Sequence, residues 1–117
     1  MRQITGINSI PSQQLQIRSD TGEQIRLTLN YRPAIQKWYL DLEYLKFSLY
    51  GYRICGGVNI LQKYFYALKW GLLVEIQDDF EPFLIDDFES GRVKLYVLSE
   101  LECNEIKKAY EDLSDEI

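Results

Sequence analysis

The strongest constraint on the fold is a period-two alternation of apolar and polar residues that recurs along the chain and stops at residue 98. Leu15 and Ile17 alternate with Gln14, Gln16 and Arg18, and after residues 19–22 the pattern resumes as Ile25, Leu27, Leu29 and Tyr31. Residues two apart share a strand face, so each run offers one face to a core and one to water. Asp20 and Gly22 suit a tight turn between the two runs, since Asp bonds its own backbone and Gly accepts positive φ. Pro33 then ends the second run, because it cannot donate to a ladder and biases Arg32 away from helix.

Further runs follow the same rule. Residues 37–43 place Trp38, Leu40 and Leu42 on one face. Residues 46–50 place Phe47 and Leu49 inward if residues 43–45 form the hairpin connection. Residues 72–76 read as a buried strand, and residues 92–98 set Val93, Leu95 and Val97 against Lys94, Tyr96 and Leu98. At Ser99 the period changes. Ser99-Glu100-Leu101-Glu102 fits a capping box, and Ile106, Ala109, Tyr110 and Leu113 recur at helical spacing on a face that either covers the β core or docks on a partner. The expected fold is mainly β, a small antiparallel β-barrel or sandwich of six to seven strands with one C-terminal α-helix. It forms a single domain over residues 1–117, with the β domain in 10–98 and the helix and acidic tail in 99–115.

A chain of 117 residues buries about two thirds of its unfolded surface, enough for a core without metal or disulfide staples. No apolar run reaches the roughly 18 residues of a membrane span, and the start of the chain lacks the apolar segment of a signal peptide. The reading is of a soluble protein, intracellular at synthesis, with no membrane partner.

Histidine is absent. With it go the commonest general base, the imidazole metal ligands and the His-activated nucleophiles. Cys55 and Cys103 lack any paired spacing and read as free thiols. Asp41 and Glu43 share a strand face about 7 Å apart, but any two alternate strand residues do. Asp78-Asp79 and Asp86-Asp87 do not fit the spaced oxygens of a calcium loop and read as solvated carboxylates. Gly51, Gly56 and Gly57 match no phosphate-cradling motif, with no evident helix after them, and read as structural bends, bulges or points of close backbone approach. No catalytic residue, metal site or cofactor is expected, and the chain is not expected to be an enzyme.

Thirteen Lys and Arg against eighteen Asp and Glu give a net charge of −5, a poor balance for gathering phosphates. The average hides an asymmetry: residues 1–58 hold seven basic and four acidic side chains, residues 59–117 six and fourteen. Either the acidic excess is solvated in the loop at 78–89 and the tail, or it meets a basic surface on a neighbour or a second copy.

Nine Tyr, five Phe and two Trp exceed the seven or eight or so large rings that a domain this small buries. Tyr39, Tyr50, Tyr52, Tyr64, Tyr66 and Trp70 are therefore candidates for a partner interface, the alternative being rings laid over a small barrel. Trp38 reads as core. Single-stranded nucleic acid is the other use for aromatic faces, with Arg18, Arg26, Arg32, Lys37, Lys46 and Arg53 beside Tyr39, Tyr50 and Tyr52. That reading predicts salt-sensitive oligonucleotide binding, and the acidic second half argues against it.

The order of these pieces resembles the small baseplate plug proteins of contractile-tailed phages (myophages). The resemblance runs over residues 10–99 and rests on Ile10-Pro11, the strand pair ending at Asn30-Tyr31, Trp38-Tyr39-Leu40-Asp41-Leu42, and the glycine-bearing run 51–61. It continues in Trp70-Gly71-Leu72-Leu73-Val74 and residues 93–98. Trp70 stands where a proline often precedes the glycine, and the acidic helical tail is longer than the family pattern. The resemblance implies a non-enzymatic structural virion component made in the host cytoplasm, a plug at the centre of the tail baseplate against hub and spike proteins. The threefold symmetry common among hub proteins implies a homotrimer. It carries over Trp38, Gly51, Gly56 and Gly57 as structural positions and no catalytic site.

Overall fold

The computed structural model describes the backbone of residues 1–115 and the side chains of residues 1–112. The alternating runs become strands β2 (Ser12–Arg18), β3 (Gln24–Arg32), β4 (Lys37–Tyr44) and β5 (Phe47–Arg53), which form an antiparallel sheet in the order β2-β3-β4-β5. A second antiparallel sheet, in the order β1-β7-β6, is built from β1 (Arg2–Gln3), β6 (Gly71–Ile76) and β7 (Val93–Leu98). The sheets do not close on one another, so of the two expected arrangements the sandwich is the observed one.

Register follows from the pattern. Leu27 lies opposite Leu42 and Leu29 opposite Leu40, so the apolar sets of β3 and β4 fall on one face. Ile25, Leu27, Leu29, Trp38, Leu40 and Leu42 are fully buried, and Leu72, Val74, Val93 and Leu95 meet them from the second sheet. The polar residues between them, Arg26, Tyr39 and Glu43 among others, face outward.

Three features differ from expectation. The seventh strand comes from Arg2–Gln3, ahead of the expected β domain at 10–98, and pairs with Val97 and Tyr96, while the glycine-bearing run forms no further strand beyond Arg53. That run contributes one bridge, Gly57 to Val74, and the bond from Ile60 N to Leu72 O, so it lies along the edge of β6. After it, where no helix was expected, a 3-10 turn (Gln62–Tyr64) leads into α1 (Phe65–Leu68), closed by Lys69 in a left-handed conformation. Finally, the β4–β5 hairpin turns on Leu45 and Lys46, one residue later than expected. This puts Tyr44 inside, 7% exposed, against Trp70.

Gly51 is where β5 needs a glycine. Tyr50 and Gly51 together oppose Asp41, a bulge in which Gly51 adopts φ of +66° and donates its N–H to Asp41 Oδ1 at 2.8 Å. Gly51→Ala places a Cβ in that conformation and is expected to cost about 1 kcal/mol, measured by urea denaturation. Gly56 and Gly57 do not have positive φ. A Cβ on Gly56 would stand 2.5 Å from Ile76 Cδ1, so close approach, not bending, explains that residue.

The capping box forms as written: Ser99 N donates to Glu102 Oε1 at 3.0 Å and Glu102 N to Ser99 Oγ at 3.2 Å. Helix α2 (Glu100–Asp115) follows. Cys103 is buried, Ile106 half-buried, and Ala109 and Tyr110 are exposed, so the predicted apolar face only partly covers the second sheet; Leu113 lies outside the described side chains. Among the described residues no helix is long and apolar enough to cross a membrane.

Candidate partner interface

The six aromatic candidates do not form one surface. Trp70 is 1% exposed and packs edge-on against Tyr44, ring centroids 5.5 Å apart, so its assignment to a partner interface is corrected to core. Its position is set by the αL residue Lys69, which turns the chain inward from α1 to β6. Tyr52 and Tyr64 are half-buried and pack on each other at 6.0 Å, and Tyr64 also meets Phe47 at 5.5 Å. The Tyr52 hydroxyl donates to Ile60 O at 2.8 Å, so this pair fastens the 60–68 segment to β5. Tyr39 lies under the Arg32 guanidinium on the outer face of the first sheet. Tyr50 and Tyr66 are exposed at different places, on the outer sheet face and on α1.

The basic residues of that outer face are also partly engaged. Arg26 pairs with Glu43 at 3.3 Å, Arg32 covers Tyr39, and Asp41 sits among them, held by Asn30 Nδ2. The cations beside Tyr39 on this face are thus interspersed with carboxylates, Asp41 and Glu43.

The free thiols differ in environment. Cys55 is half-buried, while Cys103 is buried beneath Asn59, whose Nδ2 lies 3.5 Å from its Sγ. Burial, with Glu102, Asp20 and Glu100 nearby, pushes the Cys103 thiol up to about 11. A thiol reagent at pH 8 is expected to label Cys55 in the folded protein and Cys103 only on unfolding, read by mass spectrometry of tryptic peptides.

The most organised surface feature is the loop whose carboxylates the sequence marks as solvated. Residues 77–92 carry six carboxylates, yet Asp87 is 1% exposed. Arg92, immediately before β7, folds back over the loop and uses all five of its N–H donors. Nε and Nη2 fork onto Asp87 at 2.8 and 2.7 Å, and Nη1 reaches Asp78 Oδ1 at 2.7 Å and Phe80 O at 2.8 Å. Nη2 also reaches Glu81 O at 3.1 Å. Asp87 Oδ2 in turn accepts the N–H groups of Phe83 and Leu84 at 2.7 and 2.8 Å. The reading of Asp87 as solvated is therefore corrected: a carboxylate this deep is tolerable because four donors converge on it.

The loop is tied to the first sheet as well. Tyr31 Oη donates to Phe83 O at 2.7 Å and Trp38 Nε1 to Leu84 O at 3.0 Å, while Glu81 Oε2 accepts Gly56 N at 2.6 Å. What this bracing presents to solvent is apolar. Phe80 is 66% exposed and leans on Phe83, ring centroids 6.5 Å apart, with Leu84, Ile10 and Ile35 also exposed. Ile10 precedes Pro11, whose carbonyl bonds Tyr31 N, and Ile35 lies in the β3–β4 turn, so these residues gather at the same end of the sandwich. Rings held out by a rigid loop mark a contact surface better than rings on a floppy one, because less entropy is lost on docking. The signal in the sequence was Phe80, Pro82, Phe83, Leu84 and Ile85, an apolar run too dense for a fully solvated loop.

Comparison with known proteins agrees with a contact role. No curated protein matches the chain. A family model described as cyanophage baseplate Pam3 plug gp18 matches residues 1–100, which is the whole β sandwich with the first residue of α2. The chain therefore belongs to that baseplate plug family of phages.

Proposed function

We propose that this protein is a non-enzymatic structural plug at the centre of a contractile phage tail baseplate, contacting the hub and spike proteins, in three copies. The observation that carries the reading is the family match across residues 1–100. The braced loop end supports it: Phe80 and Phe83 are held outward by bonds whose donors and acceptors are all internal, a preformed knob with no chemistry of its own. Absence of histidine from the chain supports a contact role over catalysis.

Cross-linking mass spectrometry on purified tail particles tests the reading. The expected result is this chain at a few copies per tail, with cross-links from Lys46, Lys63 or Lys94 to hub or spike subunits. Particles that lack the chain overturn it, and so do particles in which it links only to sheath or neck proteins.

A further inference from the structure

The loop end has a counterpart at the other end of the same sandwich. Tyr31 and Trp38 hold the Phe80–Phe83 knob at the β3–β4 end. The β4–β5 turn lies at the opposite end of β4, about 23 Å along the strand from Trp38. There Tyr44, Leu45, Phe47 and Ala67 line a shallow apolar depression of about 600 Å³, with Lys46 on its wall. Leu45 is 72% exposed.

The two ends are also complementary in charge. Residues 77–92 hold six carboxylates and one arginine, and that arginine is consumed inside the loop. The segments that build and flank the depression, 44–47 and 62–70, hold Lys46, Lys63 and Lys69 and no carboxylate. None of these lysines makes an ion pair among the described residues. Lys63 lies over the Tyr52 and Tyr64 rings and Lys69 over the Phe65 ring, contacts that leave their positive charge without a carboxylate partner, and on the knob Asp79 and Asp86 make no side-chain hydrogen bond or ion pair among the described residues.

We propose that the occupant of the depression is the Phe80–Phe83 knob of a second copy, so that copies join head to tail. Two different patches of one chain meet, which makes the contact heterologous: it closes into a ring if the rotation between copies closes, and otherwise extends. The rings supply the buried centre and the carboxylate–lysine rim supplies orientation and salt dependence. This goes beyond the baseplate reading and stands without it, because it concerns the isolated protein.

The test is light scattering and sedimentation of the full chain at low salt and in about 1 M salt, where the Debye length shrinks from about 10 Å to about 3 Å. The expected wild-type mass at low salt is a multiple of 13.8 kDa that falls in high salt. Phe80→Asp, at an exposed side chain, should be monomeric at every salt concentration.

Two charge-reversal variants give the decisive comparison. Lys46→Glu/Lys69→Glu carries acid at both ends and Asp79→Lys/Asp86→Lys carries base at both, so each alone should be monomeric. Mixed one to one they should associate again, since the acidic ends of the first meet the basic ends of the second. A wild-type protein monomeric at about 1 mM, where even a contact of millimolar Kd would be half-formed, overturns the proposal. So does an assembly indifferent to Phe80→Asp, or charge-reversed variants that stay monomeric when mixed. Wild-type monomers that bind a hub or spike protein through Phe80 would likewise overturn it while leaving the baseplate role intact.

Discussion

Replacing Asp87 by alanine is expected to lower unfolding stability by about 3 kcal/mol, the low end of what breaking a buried ion pair costs. The low end applies because the Arg92 side chain keeps 15% of its surface in water, whereas Asp87 keeps 1%. The loss has three parts. Arg92 is left half-buried without its bidentate partner, the N–H groups of Phe83 and Leu84 lose their acceptor, and the loop no longer holds the carbonyls that Tyr31 and Trp38 use. Asp87→Ala combined with Arg92→Leu should recover part of the loss, since it removes the orphaned charge as well as its partner. Urea denaturation of the three proteins decides the matter; an Asp87→Ala cost under about 1 kcal/mol would mean that water replaces the carboxylate freely.

The same ion pair sets an acid limit. Burial alone would push the Asp87 carboxyl up, but the Arg92 bonds and the two backbone N–H groups outweigh it and hold the group below its usual 3.8. A carboxyl depressed in the folded state contributes stability that is fully present above the unfolded value and is lost as pH falls through the folded one. Wild type should therefore lose stability below about pH 4 more steeply than Asp87→Asn, which carries no titrating group at that position.

These roles show what could be read from the sequence and what could not. Strands β2 to β4, β6 and β7 were legible because one face of each is turned toward the core, which forces period two onto the sequence. The α2 start was legible because a capping box is local. Strand β1 was not: both of its residues are exposed and polar, and it exists only because β7 offers an edge. The 62–68 turn was not either, since it has no side-chain cap and is held by Tyr52 and Phe47 from across the chain. The acidic loop misled for a related reason. Its carboxylates look alike in sequence, and only Arg92 folding back makes Asp87 a buried anchor while Asp79 and Asp86 stay in water. Trp70 misled because its burial depends on Tyr44 turning inward at a hairpin shifted by one residue.

Trp38 joins the core to the loop, and its replacement is expected to have the largest effect on the molecule. Trp38→Ala should cost about 3 to 5 kcal/mol, the range for emptying a large aromatic site. Its ring is 0% exposed and lies between Tyr31 and Phe88, at 5.1 and 5.2 Å, and its Nε1 holds Leu84 O. Removing the ring therefore opens a cavity and frees a loop carbonyl together. Trp38→Phe separates the two consequences. It keeps much of the apolar area and loses the bond to Leu84, so its stability cost should be about 1 to 2 kcal/mol. The loop, however, is fastened to β3 and β4 by the Tyr31 and Trp38 bonds to Phe83 O and Leu84 O, so losing one should loosen the knob more than the core. Amide exchange at Phe83 and Leu84 is then expected to accelerate in Trp38→Phe, while that of Leu27, Leu29 and Leu40 changes little. Equal acceleration at both places would show that the loop and the sandwich open as one unit, and that Trp38 serves the core alone.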